Sequence, residues 1–186
     1  MTDEAQSSGD PLVQLARRAI EAYVSDRVVI QPPPEALGEE AKRLAGVFVS
    51  LHLPDGSLRG CIGTTEPHRT SLEEEVISNA VCAATQDPRF YPLEKHELEN
   101  LDVSVDVLGP PEEIGSLDDL DPKKYGIMVR TIDGRRALLL PDLEGVDTVE
   151  QQLRITCRKG GIDPVTDQYR LFRFQVERHH EGSVGE

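Results

Sequence analysis

Hydrophobic positions recur along the chain with two different spacings. Asp10-Pro11 suits a helix start, and apolar residues at helical spacing then predict a helix that ends near residues 26–28. Residues 46–53 alternate with a period of two, which predicts a strand. A Pro-Asp-Gly turn follows, and residues 58–62 return as a second strand. These two strands are therefore predicted to form a hairpin.

The rest of the chain carries the same signals. The predicted elements are a helix opened by a capping box at Ser71–Glu74 and stopped by Asp87-Pro88, a strand over 101–107, a hairpin of 126–132 with 136–140, a helix opened by a capping box at Thr148–Gln151 and ended at Gly160-Gly161, and a last strand over 169–176. Strands occur mostly as hairpins, and helices separate the groups. This order predicts an α+β fold, with an antiparallel or mixed sheet built from hairpins and flanked by helices.

Apolar content is low at both ends of the chain. Residues 1–9 and 179–186 hold few large apolar side chains, so both are predicted to be disordered tails. A single domain is predicted over residues 10–178, which is long enough to bury a core. Residues 29–38 include three consecutive prolines and are predicted to be a linker or a wrapping loop.

Charge and cysteine usage narrow the class of protein. The 34 acidic residues exceed the 20 basic ones, for a net charge of −14, and the longest basic clusters are pairs. This balance opposes nucleic-acid binding, which requires Lys and Arg to neutralise phosphates. No apolar run approaches the length of a membrane span. Three cysteines lie far apart without a paired spacing, which predicts a reduced, cytoplasmic protein.

The segment 58–64, Leu-Arg-Gly-Cys-Ile-Gly-Thr, is the strongest candidate for chemistry. Alternate side chains of a strand share a face, so Arg59 and Cys61 are predicted to point the same way. Gly60 and Gly63 leave room for close approach by a ligand or by a neighbouring element. A guanidinium can lower the pKa of a nearby thiol and favour the nucleophilic thiolate. The alternative is that Cys61 is a small core residue.

A second candidate is Asp87-Pro88-Arg89-Phe90, which could place Arg89 at the edge of a cleft. The alternative is a helix stop with an exposed arginine. Cys82 lies among alanines and is predicted to be buried and inert. The histidines show no metal-ligand spacing, and no cofactor motif is present, so no metal and no cofactor are predicted.

These motifs, in this order, resemble the AMMECR-type domain family, also called AmmeMemoRadiSam system protein A in microbes. The similarity covers roughly residues 11–177, and its segments include Gly46–Val49, Leu58–Gly63, Asp87–Phe90, Leu108–Pro111, Gly134–Pro141 and Cys157–Lys159. The resemblance implies an α+β fold in two unequal lobes. It also implies a candidate site lined by Arg59, Gly60, Cys61 and Gly63.

Two positions depart from the family pattern. Tyr91 stands where proline is frequent, and Ile155-Thr156 stands where His-Leu is frequent. The second departure removes support for a histidine role at that place. The candidate set is Cys61 as the catalytic residue, with Arg59, Gly60, Gly63, Thr64, Asp87, Arg89 and Phe90 as binding residues.

Three functions are compatible with this reading. The resemblance implies an accessory or substrate-binding component that acts with a Memo-like protein and a radical SAM enzyme, on a small-molecule or peptide ligand. The alternative is a cysteine-dependent enzyme, in which Cys61 is the nucleophile, Arg59 positions an anionic substrate, and His52 or His68 serves as a distant base. The third, a regulatory role on nucleic acid, is opposed by the acidic charge.

Overall fold

A computed structural model describes residues 9–32 and 43–181. Its α-helices and strands are, in chain order, α1 Pro11–Asp26, β1 Val47–His52, β2 Leu58–Gly63, α2 Leu72–Thr85, β3 Asp102–Leu108, β4 Glu112–Ile114, β5 Gly126–Thr131, β6 Arg136–Leu139, α3 Val149–Lys159, β7 Tyr169–Phe174 and β8 Val176–His180. Two short 3-10 helices, Lys95–Asn100 and Leu117–Asp119, lie in the loops. The strands form two four-stranded antiparallel sheets, ordered β2-β1-β3-β8 and β4-β7-β5-β6. This architecture confirms the predicted α+β fold.

The chain divides into two compact units of unequal size, as the resemblance implied. The larger unit contains the chain up to Val107 and from Arg178 onward, and the smaller unit is Leu108–Glu177. The single domain predicted over residues 10–178 includes parts of both and stays a prediction. Within residues 9–32 and 43–181, no helix is long and apolar enough to cross a bilayer.

The core of the larger unit is built on the alternation of β1. Val47, Val49 and Leu51 are fully buried, while the residues between them are half-buried. They pack with the apolar faces of α1 and α2 in one cluster. The predicted start of α1 is confirmed, because the Asp10 carboxylate accepts hydrogen bonds from the N–H groups of Leu12 and its neighbour.

The two predicted capping boxes differ in outcome. At α3, Thr148 and Gln151 exchange both hydrogen bonds, as predicted. At α2, the hydroxyl of Ser71 accepts from the N–H of Glu74, but the Glu74 carboxylate turns to the N–H and hydroxyl of Thr70 instead. The α2 box is therefore only half formed, because a hydroxyl one residue before the cap competes for the glutamate.

The prediction of a tail from residue 179 is wrong for its first two residues. Strand β8 continues to His180, and Nδ1 of His179 lies 2.7 Å from Oδ2 of Asp10. The Arg178 guanidinium donates to Asp106 on the neighbouring strand at 2.9 Å. Polar side chains hold this strand, so apolar periodicity could not predict it. Of the other predicted tail residues, 1–8 and 182–186 lie outside the described residues, as do the prolines at 33 and 34.

Candidate functional site

Strand β2 packs against α2 through Gly60. A Cβ atom at this position would lie 2.4 Å from the carbonyl oxygen of Ala83, so the two backbones are in direct contact. At Gly63, a Cβ would lie 2.3 Å from Cγ of Phe48, because the phenyl ring covers this glycine. Of the two alternatives for these glycines, the structure shows close approach by neighbouring parts of the protein.

Cys61 lies between these glycines, with Ser50 as its partner across the β1–β2 pair. The Ser50 hydroxyl donates to the half-buried sulfur at 3.2 Å. Burial raises the pKa of the Cys61 thiol above its ordinary value, and the negative charges of Asp106 and Asp87 add to this. The Ser50 hydrogen bond and the Arg89 charge oppose the rise without reversing it. At neutral pH the thiol is therefore protonated.

The side chain of Arg59 is engaged by other groups of the protein. Its Nε and Nη2 donate to the two carboxylate oxygens of Glu97 at 2.8 and 3.0 Å, and Nη1 donates to the Tyr91 carbonyl at 3.0 Å. Burial works to raise the pKa of Glu97, but the Arg59 hydrogen bonds and charge hold it below its ordinary value. A bidentate pair at a side chain only 15% exposed is a geometric anchor.

Asp87 connects β2 to the turn that follows α2. Its buried carboxylate accepts from the N–H of Cys61 at 2.9 Å and from the N–H of Arg89 at 3.0 Å. The Arg89 guanidinium donates one hydrogen bond to each carboxylate oxygen. That guanidinium holds the pKa of Asp87 well below its usual range, against the opposing effect of burial. We call Asp87, Arg89 and the backbone of Cys61 the Asp87 network.

Two aromatic side chains, which we call the aromatic corner, follow this network. The Phe90 ring lies 5.9 Å from the Arg59 guanidinium and 5.5 Å from that of Arg89, so two cations contact it. Tyr91 is 91% exposed. The next buried anchor is Leu93, whose N–H donates to the carbonyl of Ala84 at the end of α2. The corner is thus fixed on both sides while its tyrosine faces solvent.

Thr64 belongs to a different, internal set of contacts. Its hydroxyl donates to the buried carboxyl group of Glu75 at 2.6 Å and accepts from the Asn79 amide at 3.2 Å. The second oxygen of Glu75 accepts from the N–H groups of His68 and Arg69, both at 2.8 Å. We call these residues the Glu75 clamp. Thr64 serves here to fix the chain that leaves β2.

The structure brings together five of the predicted site residues, namely Arg59, Cys61, Asp87, Arg89 and Phe90. It uses Gly60, Gly63 and Thr64 for internal packing. The arginine whose charge acts on the Cys61 thiol is Arg89, and Arg59 is committed to Glu97. In the parts of the chain that the structure describes, no hydrogen bond joins His52 or His68 to Cys61. The same residues contain no cluster of three or more His, Cys, Asp or Glu that could hold a metal ion.

Sequence reasoning missed the roles of Glu97, Tyr91 and Ser50. Glu97 pairs with Arg59 through the fold, and the two residues lie too far apart in sequence for a spacing rule to join them. Ser50 was identifiable, because the alternation of β1 places it on the face opposite Val47, Val49 and Leu51. Cys82 also differs from its prediction, since it is half-buried and lines a cavity.

Comparison with known proteins identifies relatives of this chain. The AMMECR1 family model matches residues 13–179. A Thermotoga maritima protein is 52% identical over 170 residues, which cover 91% of this chain and 97% of that protein. A Clostridium acetobutylicum protein is 47% identical over 173 residues, which cover 92% of this chain but only 36% of that protein.

A solved structure has the same fold. The crystal structure of an uncharacterized protein from Pyrococcus horikoshii superposes with a TM-score of 0.82 and 35% sequence identity. The superposition covers 96% of this chain and 92% of the other. The agreement extends over nearly the full length of both proteins.

Proposed function

This chain belongs to the AMMECR1 family, and on that premise we propose that it is an accessory binding component acting with a Memo-like protein and a radical SAM enzyme. In this role it presents the aromatic corner and Arg89 to a partner in the cytoplasm. The observation that carries the proposal is the 91% exposure of Tyr91 beside an ordered phenylalanine and arginine. Tyrosine and arginine are among the residue types that contribute most to binding energy at protein interfaces.

The proposal is supported by how firmly this surface is held. Phe90 contacts two guanidinium groups, and each of these is fixed by a carboxylate, Glu97 on Arg59 and Asp87 on Arg89. Side chains that are already ordered lose little conformational entropy when a partner binds. A rigid, exposed corner of this kind is suited to recognition and needs no catalytic group of its own.

A further observation comes from the Clostridium acetobutylicum relative. The matched region is 36% of that protein, so the counterpart of this chain is one part of a longer polypeptide there. A domain that makes up nearly all of the Thermotoga maritima protein and one part of the Clostridium acetobutylicum protein is suited to work beside other protein parts. This fits an accessory role in an AmmeMemoRadiSam system.

The alternative function, a cysteine-dependent enzyme, is favoured less by the geometry. Its nucleophile, Cys61, has a raised pKa, and the arginine proposed to position an anionic substrate is already paired with Glu97. Alkylation of Cys61 by iodoacetamide, followed by peptide mass spectrometry against pH, separates the two functions. Binding without catalysis predicts alkylation at pH 7 slower than that of a free cysteine. Faster alkylation would favour the enzyme.

The binding proposal is tested with two matched variants. Tyr91→Ala removes the exposed ring of the corner, and Ile132→Ala removes an exposed apolar side chain, 77% exposed, in the smaller unit. Purified Memo-like and radical SAM proteins are titrated against the immobilised chain and both variants by biolayer interferometry. We expect Tyr91→Ala to weaken binding by about tenfold or more, as for an interface hot spot, and Ile132→Ala to bind like the parent.

Two results would contradict the proposal. One is that neither partner protein associates with the parent chain and that the chain leaves the partners' turnover unchanged. The other is that both partners bind, but Tyr91→Ala and Ile132→Ala have equal affinities, which would place the interface elsewhere.

A further inference from the structure

A cavity of about 440 Å³ lies in the larger unit, and its lining includes neither residue of the aromatic corner. It is bounded by the end of α1, by residues 29–32 and by one stripe of α2. Tyr23, Ile30, Ile77 and Val81 supply apolar walls. Its volume falls within the range of about 300–1,000 Å³ that is usual for small-molecule sites.

The stripe of α2 that lines the cavity differs from the one that packs in the core. Glu74, Ser78 and Cys82 follow one another at intervals of four and line the cavity. Ala80 and Ala83 are buried, and Ala83 meets β2. Ile77 and Val81 lie on the same side of α2 and make the middle of the cavity wall apolar, while Glu74 makes it polar at the N-terminal end of the helix.

Arg69 lines the cavity at that polar end. Among the described residues, its guanidinium donates one hydrogen bond, to the Ser78 hydroxyl at 3.0 Å, and a guanidinium carries five N–H donors. In residues 9–32 and 43–181, no carboxylate forms a salt bridge with Arg69. The nearby Glu74 already accepts two hydrogen bonds from Thr70. Arg69 thus keeps donors available at the rim of an apolar cavity.

We propose that this cavity binds a small organic acid. The apolar body of the ligand packs between Tyr23, Ile30 and Val81, and its carboxylate pairs with the Arg69 guanidinium. The planar fork of arginine matches a carboxylate in size and hydrogen-bond geometry. The polar rim then fixes the orientation of the ligand, and the walls supply the burial of apolar surface.

The test uses two probes that share an apolar body and differ in charge. 2-Naphthoate carries a carboxylate, and 2-naphthamide is its uncharged counterpart. Both are titrated into the full chain, with binding followed by isothermal calorimetry. We expect 2-naphthoate to bind up to about fivefold more tightly, which is the upper end of the gain from an ion pair at an exposed arginine.

Charge variants test whether Arg69 causes the difference in affinity between the two probes. Arg69→Gln should reduce 2-naphthoate affinity to that of 2-naphthamide, and Arg69→Lys should retain part of the difference. Glu74→Gln removes a nearby negative charge, so it should tighten 2-naphthoate alone, by about twofold. Arg154→Gln is the matched control, since it changes an exposed arginine on α3 of the smaller unit and should leave both affinities unchanged.

Cys82 provides an independent readout because it lines the same cavity. Maleimide labelling of the folded chain, resolved by peptide mass spectrometry, should slow at Cys82 when 2-naphthoate is present and stay constant at Cys61. Equal affinity of the two probes, no saturable binding of either, or no protection of Cys82 overturns the proposal.

Discussion

The larger unit contains two buried carboxyl groups that fix the chain around β2, and they do so with different donors. Glu75, after the strand, accepts from two backbone N–H groups and a hydroxyl, which are all uncharged. Asp87 accepts from two backbone N–H groups and a guanidinium. Glu75 therefore closes a loop internally, whereas Asp87 links a strand to an arginine that is 55% exposed. The Asp87 carboxylate therefore fixes both strand β2 and the exposed positive charge of Arg89.

The difference predicts that an amide will be tolerated at one position and not at the other. Each oxygen of Asp87 accepts two N–H groups, one from the backbone and one from Arg89. In Asp87→Asn, the amide nitrogen must face two donors, so two hydrogen bonds are lost. We expect a loss of about 2–3 kcal/mol in the free energy of unfolding, measured by urea denaturation. A loss under 0.5 kcal/mol, below that expected for a single hydrogen bond, would contradict this account.

Acid should weaken the Asp87 network in particular. The pKa of Asp87 is lower in the folded chain than its ordinary value of 3.8, so the folded state binds fewer protons than the unfolded state. Its contribution is present above about pH 4 and is lost as the pH falls through the lowered pKa. After allowance for solvent screening of Arg89, we expect about 1–2 kcal/mol.

The measurement is the difference in unfolding free energy between the parent chain and Asp87→Asn from pH 6 to pH 2. That difference should shrink as the pH falls below 4. A constant difference over the whole range would show that Asp87 contributes no pH-dependent stability.

Removal of the arginine alone should have a smaller effect. Arg89→Gln keeps the backbone donors to Asp87 and deletes the guanidinium, most of which is exposed. We expect a loss of about 1 kcal/mol, together with a shift of the Asp87 pKa back toward its ordinary range. Unfolding free energy and the pH at which stability falls are measured on the same variant. Arg154→Gln serves as the control for loss of an exposed arginine.

Glu75→Gln should have the smallest effect. The glutamine oxygen can accept from the N–H groups of His68 and Arg69. Only the half-buried Thr64 hydroxyl loses its acceptor, and its oxygen still accepts from Asn79 and Val47. One hydrogen bond is lost instead of two, so we expect a change under about 1 kcal/mol by the same urea denaturation. If this variant were destabilised as much as Asp87→Asn, the contrast between the two carboxyl groups would be lost.

Much of the fold follows from local signals in the sequence. The alternation of β1 and the Asp10 cap of α1 were readable because each depends on neighbours in the chain. Strand β8 was not readable, because Arg178 and His179 hold it through partners far away in sequence. The box at Ser71 is only half formed because the N–H and hydroxyl of Thr70 take the Glu74 carboxylate that the Ser71 N–H would otherwise use.

The location of the candidate site was predictable, but its hydrogen bonds and ion pairs were not. The glycine-flanked Cys61 and the Asp87–Phe90 turn were identified, and the structure places them side by side. Arg59 and Cys61 were predicted to lie together only because alternate side chains of a strand share a face. In the fold, a carboxylate from a later segment, Glu97, captures that arginine. Long-range competition for a guanidinium cannot be deduced from alternation.

The contact between Gly60 and α2 has a consequence for genetics. The atom that a Cβ at position 60 would strike is the backbone oxygen of Ala83, not a side chain that substitution could shorten. A lesion at Gly60 therefore has no compensating allele at Ala83, and a suppressor screen should recover changes that shift the whole helix or true revertants. Because the contact is between backbones, a change that moves the strand carrying Cys61 must also move the helix that lines the cavity.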